Sequence, residues 1–180
     1  DMRFSIGIFL IPVLLGYDHD EDGNLDDVTI STDNDTGVVD GVDGVSKGVD
    51  GVPEGATVGV DSADVTVNNE PIQIDEGNGE ADYTVAIGED GAIDSIDGIN
   101  PGTTVNAAPA GVDLVTDGEG KFTIGDNEVT ISGDDKVNMQ VDEDGNLASI
   151  DSLDGAVALT GDETVSVNGD EVAIDKADDT

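Results

Sequence analysis

The sequence predicts an all-β protein built from repeated hairpins. Val and Ile, which favour strands, make up much of the apolar content. The 25 glycines of the 180-residue chain fall every few residues, and this spacing favours short strands and turns over long helices. Short strand–turn–strand patterns also recur along the chain. We therefore expect about three repeated, β-hairpin-rich units that form a sandwich or solenoid-like stack, with an extended apolar N-terminal arm.

The clearest repeat consists of two alternating apolar segments around a polar centre. It reads VTVNNEPIQI at 65–74, FTIGDNEVTI at 122–131 and VSVNGDEVAI at 165–174. Asn, Gly and Asp at each centre predict a tight turn, so each segment is expected to be a β-hairpin with one buried face. The expected buried residues are Val65, Val67, Ile72 and Ile74; Phe122, Ile124, Val129 and Ile131; and Val165, Val167, Val172 and Ile174.

Two further elements recur in the same order. The first reads DEDGNLDDVTI at 20–30, GEDGAIDSIDGI at 88–99 and DEDGNLASIDSL at 142–153, and the second reads VPEGATV at 52–58, INPGTTV at 99–105 and LDGAVAL at 153–159. They divide the chain into an apolar segment (1–17), repeat 1 (18–87), repeat 2 (88–141) and a truncated repeat 3 (142–180). A β-solenoid, a multi-sheet sandwich and a string of small modules all fit, although the variable spacing argues against a strict solenoid.

Repeat 1 carries a glycine-rich insertion at 37–55, within which residues 41–55 read GVDGVSKGVDGVPEG. Its seven-residue period does not match collagen, which needs glycine at every third position. We expect an irregular loop or a pair of very short strands, and a flexible linker is the alternative.

The charge balance restricts the partners. Asp and Glu total 43 against five Lys and Arg, which gives a formal net charge of −38. Nucleic acid and anionic membranes need a basic surface, so we expect neither as a partner. Divalent cations, basic partners or a salty medium suit the chain better. With no cysteine and His19 as the single histidine, the sequence offers little material for catalytic triads or zinc sites, and we expect no enzyme.

The strongest apolar run is FSIGIFLIPVLL at 4–15. It is shorter than the roughly 20 residues of a membrane-spanning helix, so we expect no membrane span. The run resembles the core of a signal peptide preceded by Met2 and Arg3, but Asp1 precedes the Met and no A-x-A cleavage site follows. It is expected to be a retained signal-like segment, a core strand or a strand donated to a neighbouring copy. The expected assembly contacts are Phe4, Ile6, Ile8 and Leu10, chosen from a set that also includes Val13 and Leu15.

The stretch DHDEDGNLDD at 18–27 has most of the oxygen ligands of a calcium loop. The candidate ligands for Ca²⁺ are Asp18, Asp20, Asp22, Asn24 and Asp26, with a glycine at the sharp turn. Position 12 of such a loop, where an acid is expected, is Thr29, and the flanking segments do not look helical. The part that recurs in the other two copies is the E-D-G-x-aliphatic turn, which favours a hairpin turn and leaves calcium as an alternative for the first copy.

The DEDGNL turns, the IDGINPGTTV segment and the VSVNGDEVAI hairpin resemble the acidic Val/Thr/Gly/Asp-rich β-repeat regions of prokaryotic surface proteins and adhesins. The resemblance covers residues 18–180 and implies an extracellular or cell-surface location. It also implies a structural role, as a self-assembling subunit of a filament, sheath or surface layer, or as an adhesin segment. The alternative is a calcium-binding β-repeat module of a cell-surface protein.

Overall fold

The computed structural model describes residues 28–75, 82–132, 137–151, 156–161, 164–167 and 169–173. Across these residues the chain forms 17 strands and no helix, so the all-β prediction is confirmed. The strands form a ten-stranded and a seven-stranded sheet, which we call the larger and the smaller sheet. The chain passes back and forth between the two sheets in stacked coils, and this arrangement resembles a β-solenoid. The predicted N-terminal arm lies outside the described residues.

The strands group into three units of similar order. The first unit consists of β1 (Thr29–Thr32), β2 (Val39–Val45), β3 (Gly48–Val49), β4 (Thr57–Val60), β5 (Asp64–Val67) and β6 (Glu70–Asp75). The second consists of β7 (Tyr83–Ile87), β8 (Ile93–Ile99), β9 (Thr104–Ala107), β10 (Asp113–Thr116), β11 (Gly120–Ile124) and β12 (Asn127–Ser132). The third consists of β13 (Asn138–Val141), β14 (Leu147–Asp151), β15 (Ala156–Thr160), β16 (Thr164–Val167) and β17 (Asp170–Ala173).

The first two units distribute their strands between the sheets identically. In each unit the first, second and fourth strands lie in the larger sheet, and the other three lie in the smaller sheet. Neighbouring units join through antiparallel pairs in both sheets: β4 with β7 and β10 with β13 in the larger sheet, and β6 with β9 and β12 with β15 in the smaller. The core is therefore continuous from unit to unit.

The three predicted hairpins are present as β5–β6, β11–β12 and β16–β17. In the first two, all eight residues expected on the buried face are buried. The first hairpin turns at Asn68 and Asn69, whose φ angles of 49° and 69° are typical of a type I′ turn. The sequence pattern was therefore sufficient to place both hairpins and their faces.

The third hairpin departs from the prediction. Val165 is buried, but Val172 is 39% exposed and Ile174 lies outside the described residues. The reason is a change of sheet: β16 pairs with β14, so the hairpin extends the larger sheet instead of the smaller one. β17 then forms the edge of that sheet, and all four of its residues are exposed.

The glycine-rich stretch is not a linker. Its valines Val39, Val42, Val45 and Val49 are buried on β2 and β3, so the linker and irregular-loop alternatives are wrong for residues 39–49. The stretch forms two strands as expected, but β2 has seven residues and is not very short. The burial on β2 recurs every third residue because the pairing of β2 with each neighbour contains a bulge. The second bulge includes Gly44, whose φ of 81° suits glycine.

The same spacing recurs in the other units. Ile93, Ile96 and Ile99 of β8 are buried with the same two register shifts, and Leu147 and Ile150 of β14 follow with one. β2, β8 and β14 are therefore equivalent strands of the three units, whereas the segment at 52–58 is not equivalent to the segments with which the sequence aligned it. VPEGATV leads into the larger sheet, whereas INPGTTV and LDGAVAL lead into the smaller, so the sequence alignment of these three segments was wrong.

The two sheets enclose one hydrophobic core of valine, isoleucine and a few larger side chains, with Tyr83 and Phe122 among the most buried. The core-facing side chains become exposed at both ends of the larger sheet. Ile30 on β1 pairs with the buried Val42, yet 44% of its surface is exposed. Val172 pairs with the buried Val165 at the opposite edge. Within the described part of the chain, the stack is therefore uncapped at both ends.

Candidate functional site

The residues proposed from the sequence as functional lie outside the described part of the chain. These are the candidate calcium ligands Asp18, Asp20, Asp22, Asn24 and Asp26 and the candidate assembly residues Phe4, Ile6, Ile8 and Leu10. The calcium and arm hypotheses therefore stay predictions. The structure instead shows what the related turns do, and it shows two grooves that the sequence did not predict.

The turns of the two described E-D-G copies use their carboxylates to hold the backbone. Asp142 Oδ1 accepts hydrogen bonds from the N–H groups of Asp144 and Asn146, each at 2.9 Å. Asp90 Oδ1 accepts one from the Ala92 N–H at 3.0 Å. Both turns join adjacent antiparallel strands, β7 to β8 and β13 to β14. The interpretation of these two segments as hairpin turns is confirmed, and their aspartates act as Asx-turn acceptors.

The corresponding turn of the first unit lies at residues 33–37, between β1 and β2. Asp33 Oδ1 accepts hydrogen bonds from the Thr36 N–H, the Thr36 hydroxyl and the Asp35 N–H. The bonds from Thr36 lower the pKa of Asp33 below its ordinary value of 3.8. Sequence analysis missed this turn because it lacks the E-D-G letters. The apolar residues spaced by three, at Val39, Val42 and Val45, were the signal that could have located it.

One groove lies beside the turn of the second unit. We call it the four-carboxylate groove because Glu54, Glu89, Asp90 and Asp94 line it, together with backbone at Gly55 and Gly88. Its volume is about 730 Å³ and it is open to solvent. The Gly55 N–H donates to the Ile87 carbonyl at 2.9 Å, which joins the loop of the first unit to the second.

A second groove, of about 320 Å³, lies where all three units meet, and we call it the alanine groove. Small apolar residues contribute to its lining, and these are Pro71, Ala107, Ala108, Pro109 and Ala110. Three exposed carboxylates also line it, and they belong to Glu70 of the first unit and to Glu143 and Asp144 of the third.

The backbone holds the alanine groove in shape. The Gly111 N–H donates to the Val141 carbonyl at 3.0 Å, and the Val112 N–H donates to the Pro109 carbonyl at 3.2 Å. A β-carbon on Gly145 would lie 3.6 Å from the Asn106 carbonyl oxygen, so the turn of the third unit lies close to the backbone of the second unit. The groove therefore exists only when the three units are stacked.

A third acidic feature lies on the larger sheet, outside both grooves. Burial and the nearby carboxylates of Asp43 and Asp82 raise the pKa of Asp61 above 3.8. Asp43 lies on β2, Asp61 follows β4 and Asp82 precedes β7, and these three strands are neighbours in the sheet. In this part of the surface, the negatively charged carboxylates repel one another.

Across the described residues, no group of three or more His, Cys, Asp or Glu is arranged to hold a metal ion. Asn127 and Thr103 are buried, and Thr103 Oγ1 and both amide atoms of Asn127 have no hydrogen-bond partner among the described residues. Neither residue lines one of the two grooves. The two grooves are thus lined by exposed carboxylates, beside small apolar side chains in the alanine groove and beside glycine backbone in the four-carboxylate groove.

Comparisons with known proteins add no identification. No protein-family model matches the chain, and neither do the curated proteins or the solved structures that were compared. Among the described residues, no helix is long and apolar enough to cross a membrane. Any functional conclusion must therefore come from the stack, its ends and its acidic grooves.

Proposed function

We propose that the chain is a self-assembling structural protein of the cell surface or extracellular space, acting in a filament, sheath or surface layer, or as a segment of an adhesin. The observation that carries the proposal is the uncapped core at the two ends of the larger sheet. Ile30, Val38 and Val172 are the large apolar side chains most exposed in the described chain, and Ile30 and Val172 lie on its two edge strands.

The strand pairs that join neighbouring units suggest how two copies would associate. Each unit adds to the previous one through antiparallel strand pairs, so the stack can in principle be extended by any segment that offers a strand and an apolar face. Edge strand β1 reads TIST and carries no charge, although the chain as a whole carries −38. Charges on an edge strand protect against association, and β1 lacks this protection.

The N-terminal arm is the segment that we assign to this contact. Residues 4–15 are apolar in a chain that is otherwise acidic, so a neighbouring copy that buries them removes apolar surface from water. Donation in one direction, from the arm of one copy to the body of the next, is a heterologous contact, which generates filaments when it does not close into a ring.

The test is removal of residues 1–16, followed by sedimentation velocity and negative-stain microscopy. We expect the full chain to form oligomers or filaments and the shortened chain to sediment as a monomer. A full-length variant that carries Ser at Phe4, Ile6, Ile8 and Leu10 should behave like the shortened chain, and it controls for length. A shortened chain that still polymerises would show that the arm is not the contact.

The second candidate is a calcium-binding surface module, supported by the spacing of Asp18, Asp20 and Asp22 and by the net charge of −38. The ion would relieve repulsion among carboxylates and stabilise the folded chain by binding it in preference to the unfolded chain. We expect calcium to raise the melting temperature, and Asp20→Asn with Asp22→Asn to abolish the increase. Glu21→Gln with Asp27→Asn makes the same charge change at non-ligand positions. If excess EDTA left the melting temperature unchanged, calcium would not stabilise the folded chain and the second candidate would be wrong.

A further inference from the structure

We propose that strand β17 is a placeholder for strand β1 of a second copy, which displaces β17 and pairs with β16 as one unit pairs with the next. This inference rests on the proposed function and deepens it, because it names the strand, the acceptor edge and the register of a contact between copies. Domain swapping, in which copies exchange an element of structure, is a low-cost route to association.

The strand directions of the larger sheet repeat from unit to unit. In each of the first two units, the first strand is antiparallel to the second, and the second is parallel to the strand that follows it in the sheet. The third unit repeats this order with β13, β14 and β16. β17 is antiparallel to β16, as β7 is to β4 and β13 is to β10. β17 therefore has the place and the direction of the first strand of a fourth unit.

β16 is the equivalent of β4 and β10. Val42 on β2, Ile96 on β8 and Ile150 on β14 are equivalent, and the residues that pair with them on the next strand are Val58, Leu114 and Val167. Val58 and Leu114 are fully buried, whereas Val167 is only partly buried. The β16 edge therefore leaves one apolar position of the core incompletely covered.

The incomplete cover comes from β17. The first strand of the following unit covers the equivalent positions of β4 and β10 with Val85 on β7 and Met139 on β13, which are both fully buried. On β17 the same place, opposite Val167, holds the exposed Asp170. A carboxylate is a poor cover for an apolar position, because its burial without a partner costs free energy. All four residues of β17 are exposed, so its displacement gives up little buried surface.

β1 carries the apolar side chain that this place lacks. Ile30 on β1 is the equivalent of Val85 on β7, because each pairs with the middle buried residue of the second strand of its unit. Ile30 is 44% exposed, and among the described strands none pairs with β1 at its other edge. β1 reads TIST and has no charge, whereas β17 reads DEVA and has two acids. Pairing of β1 with β16 would place Ile30 against Val167, so that each covers the other.

The joins between units also predict the register between copies. In the register of the β4–β7 pair, Ile30 lies opposite Val167 and Ser31 lies opposite Ser166. β1 and β17 lie at opposite edges of the larger sheet, so each copy can donate β1 and accept β1 at the same time. The apolar arm at 4–15 precedes β1 in the chain, so one copy donates both segments in the same direction, which makes the contact heterologous.

Asp170→Val tests the placeholder role, because it should weaken association although it makes the surface more apolar and less charged. Valine at this place covers Val167, so β17 is held more firmly and is harder to displace. We expect about tenfold weaker self-association in sedimentation equilibrium. Glu171→Val makes a similar change at the next residue, on the opposite face of the strand, and should not weaken association. If Asp170→Val failed to weaken association, or Glu171→Val weakened it equally, the proposal would be wrong.

A disulfide that locks β17 on β16 tests the displacement itself. Ser166 and Glu171 lie opposite each other in the hairpin, within reach of a disulfide, and the chain has no cysteine. We expect Ser166→Cys with Glu171→Cys to associate about tenfold more weakly when oxidised than when reduced. Asp64→Cys with Gln73→Cys, an exposed opposed pair in the hairpin β5–β6, also removes one acid, and oxidation should not change its association. Equal association of the locked and the unlocked form would overturn the proposal.

A cross-link between copies tests the register. Ser31 and Ser166 lie near opposite edges of the larger sheet, so a disulfide between cysteines at these positions must join two copies. Under oxidation we expect Ser31→Cys with Ser166→Cys to give dimers and higher species on a non-reducing gel. If β1 of the second copy instead added beyond β17 without displacing it, Ser31→Cys with Glu171→Cys would give these species, and the proposal would fail.

The outcomes separate this inference from the proposed function. If the full chain associates but neither the lock nor Asp170→Val weakens the association, copies join elsewhere and only the inference fails. If the full chain stays monomeric at every concentration tested, the proposed function fails, and the inference fails with it.

Discussion

The side chain of Asn68 should hold the first two units together, and its removal tests the structure most directly. Asn68 Oδ1 accepts a hydrogen bond from the Val52 N–H at 2.9 Å. Its Nδ2 donates to the Val52 carbonyl at 3.1 Å and to the Gly91 carbonyl of the second unit at 3.2 Å. One side chain thus joins a hairpin turn, a loop of its own unit and the next unit.

The perturbation is Asn68→Gly, which retains the turn geometry because glycine adopts a φ of 49° without strain. Three hydrogen bonds at about 1 kcal/mol each would be lost, and the Val52 N–H would be left unpaired beside a buried side chain. Relief of the positive φ offsets about 1 kcal/mol of this loss. We expect unfolding to become easier by about 2 kcal/mol, which lowers Tm by about 4–8 °C in a chain of this size.

The control is Asn69→Gly, the neighbouring residue of the same type and a similar φ of 69°. The hydrogen bond of Asn69 runs from its backbone N–H to Asp50 Oδ1 and survives the substitution. Relief of the positive φ is the main change, so we expect Asn69→Gly to stabilise the chain by about 1 kcal/mol, which places the two variants about 3 kcal/mol apart.

Urea unfolding followed by far-UV circular dichroism is the suitable assay. Guanidinium chloride is a salt and would screen the repulsion among the 43 acidic residues while it denatures the protein. Equal midpoints for Asn68→Gly and Asn69→Gly would refute the assignment of the bridging role to the Asn68 side chain.

Two further predictions concern the core and the surface charge. Val129→Ala should lower the free energy of unfolding by about 2–3 kcal/mol, because Val129 is fully buried. Val172→Ala, at the matching hairpin position, should lower it by less than about 0.5 kcal/mol, because Val172 is exposed. If urea unfolding gave comparable losses for the two variants, the third hairpin would not have changed sheet. Asp61→Asn should stabilise the protein at pH 7 by less than about 1 kcal/mol, because the raised pKa of Asp61 means that its ionisation disfavours the folded state. The stabilisation should disappear as the pH falls from above the folded pKa to below 3.8, where Asp61 is neutral in both states, and a gain that persists at pH 3 would disprove this account. Asp117→Asn, at the matching place after β10, is the control for Asp61→Asn.

The sequence by itself determined the all-β class, the first two hairpins and their buried faces. These features depend on neighbouring residues: alternation of apolar side chains fixes the face of a strand, and Asn or Gly with a positive φ fixes the turn. Residues 65–74 and 122–131 carry both signals, and the structure follows them. The E-D-G turns at 88–92 and 142–146 also depend on neighbouring residues alone, so the sequence predicted them as hairpin turns.

Tertiary structure decided what depends on partners distant in the chain. Burial at every third residue of β2 and β8 requires bulges against two different neighbouring strands, so a local search for alternation does not recognise VDGVDGV as one seven-residue strand. Between β9 and β11 the second unit inserts β10, whereas only residues 161–163 separate β15 from β16. The shorter third unit has no separate strand to take the place of β10, so its hairpin occupies that place in the larger sheet and leaves Val172 exposed. The alanine groove has the same origin, because residues 70, 106–110 and 143–145 meet only when three units stack.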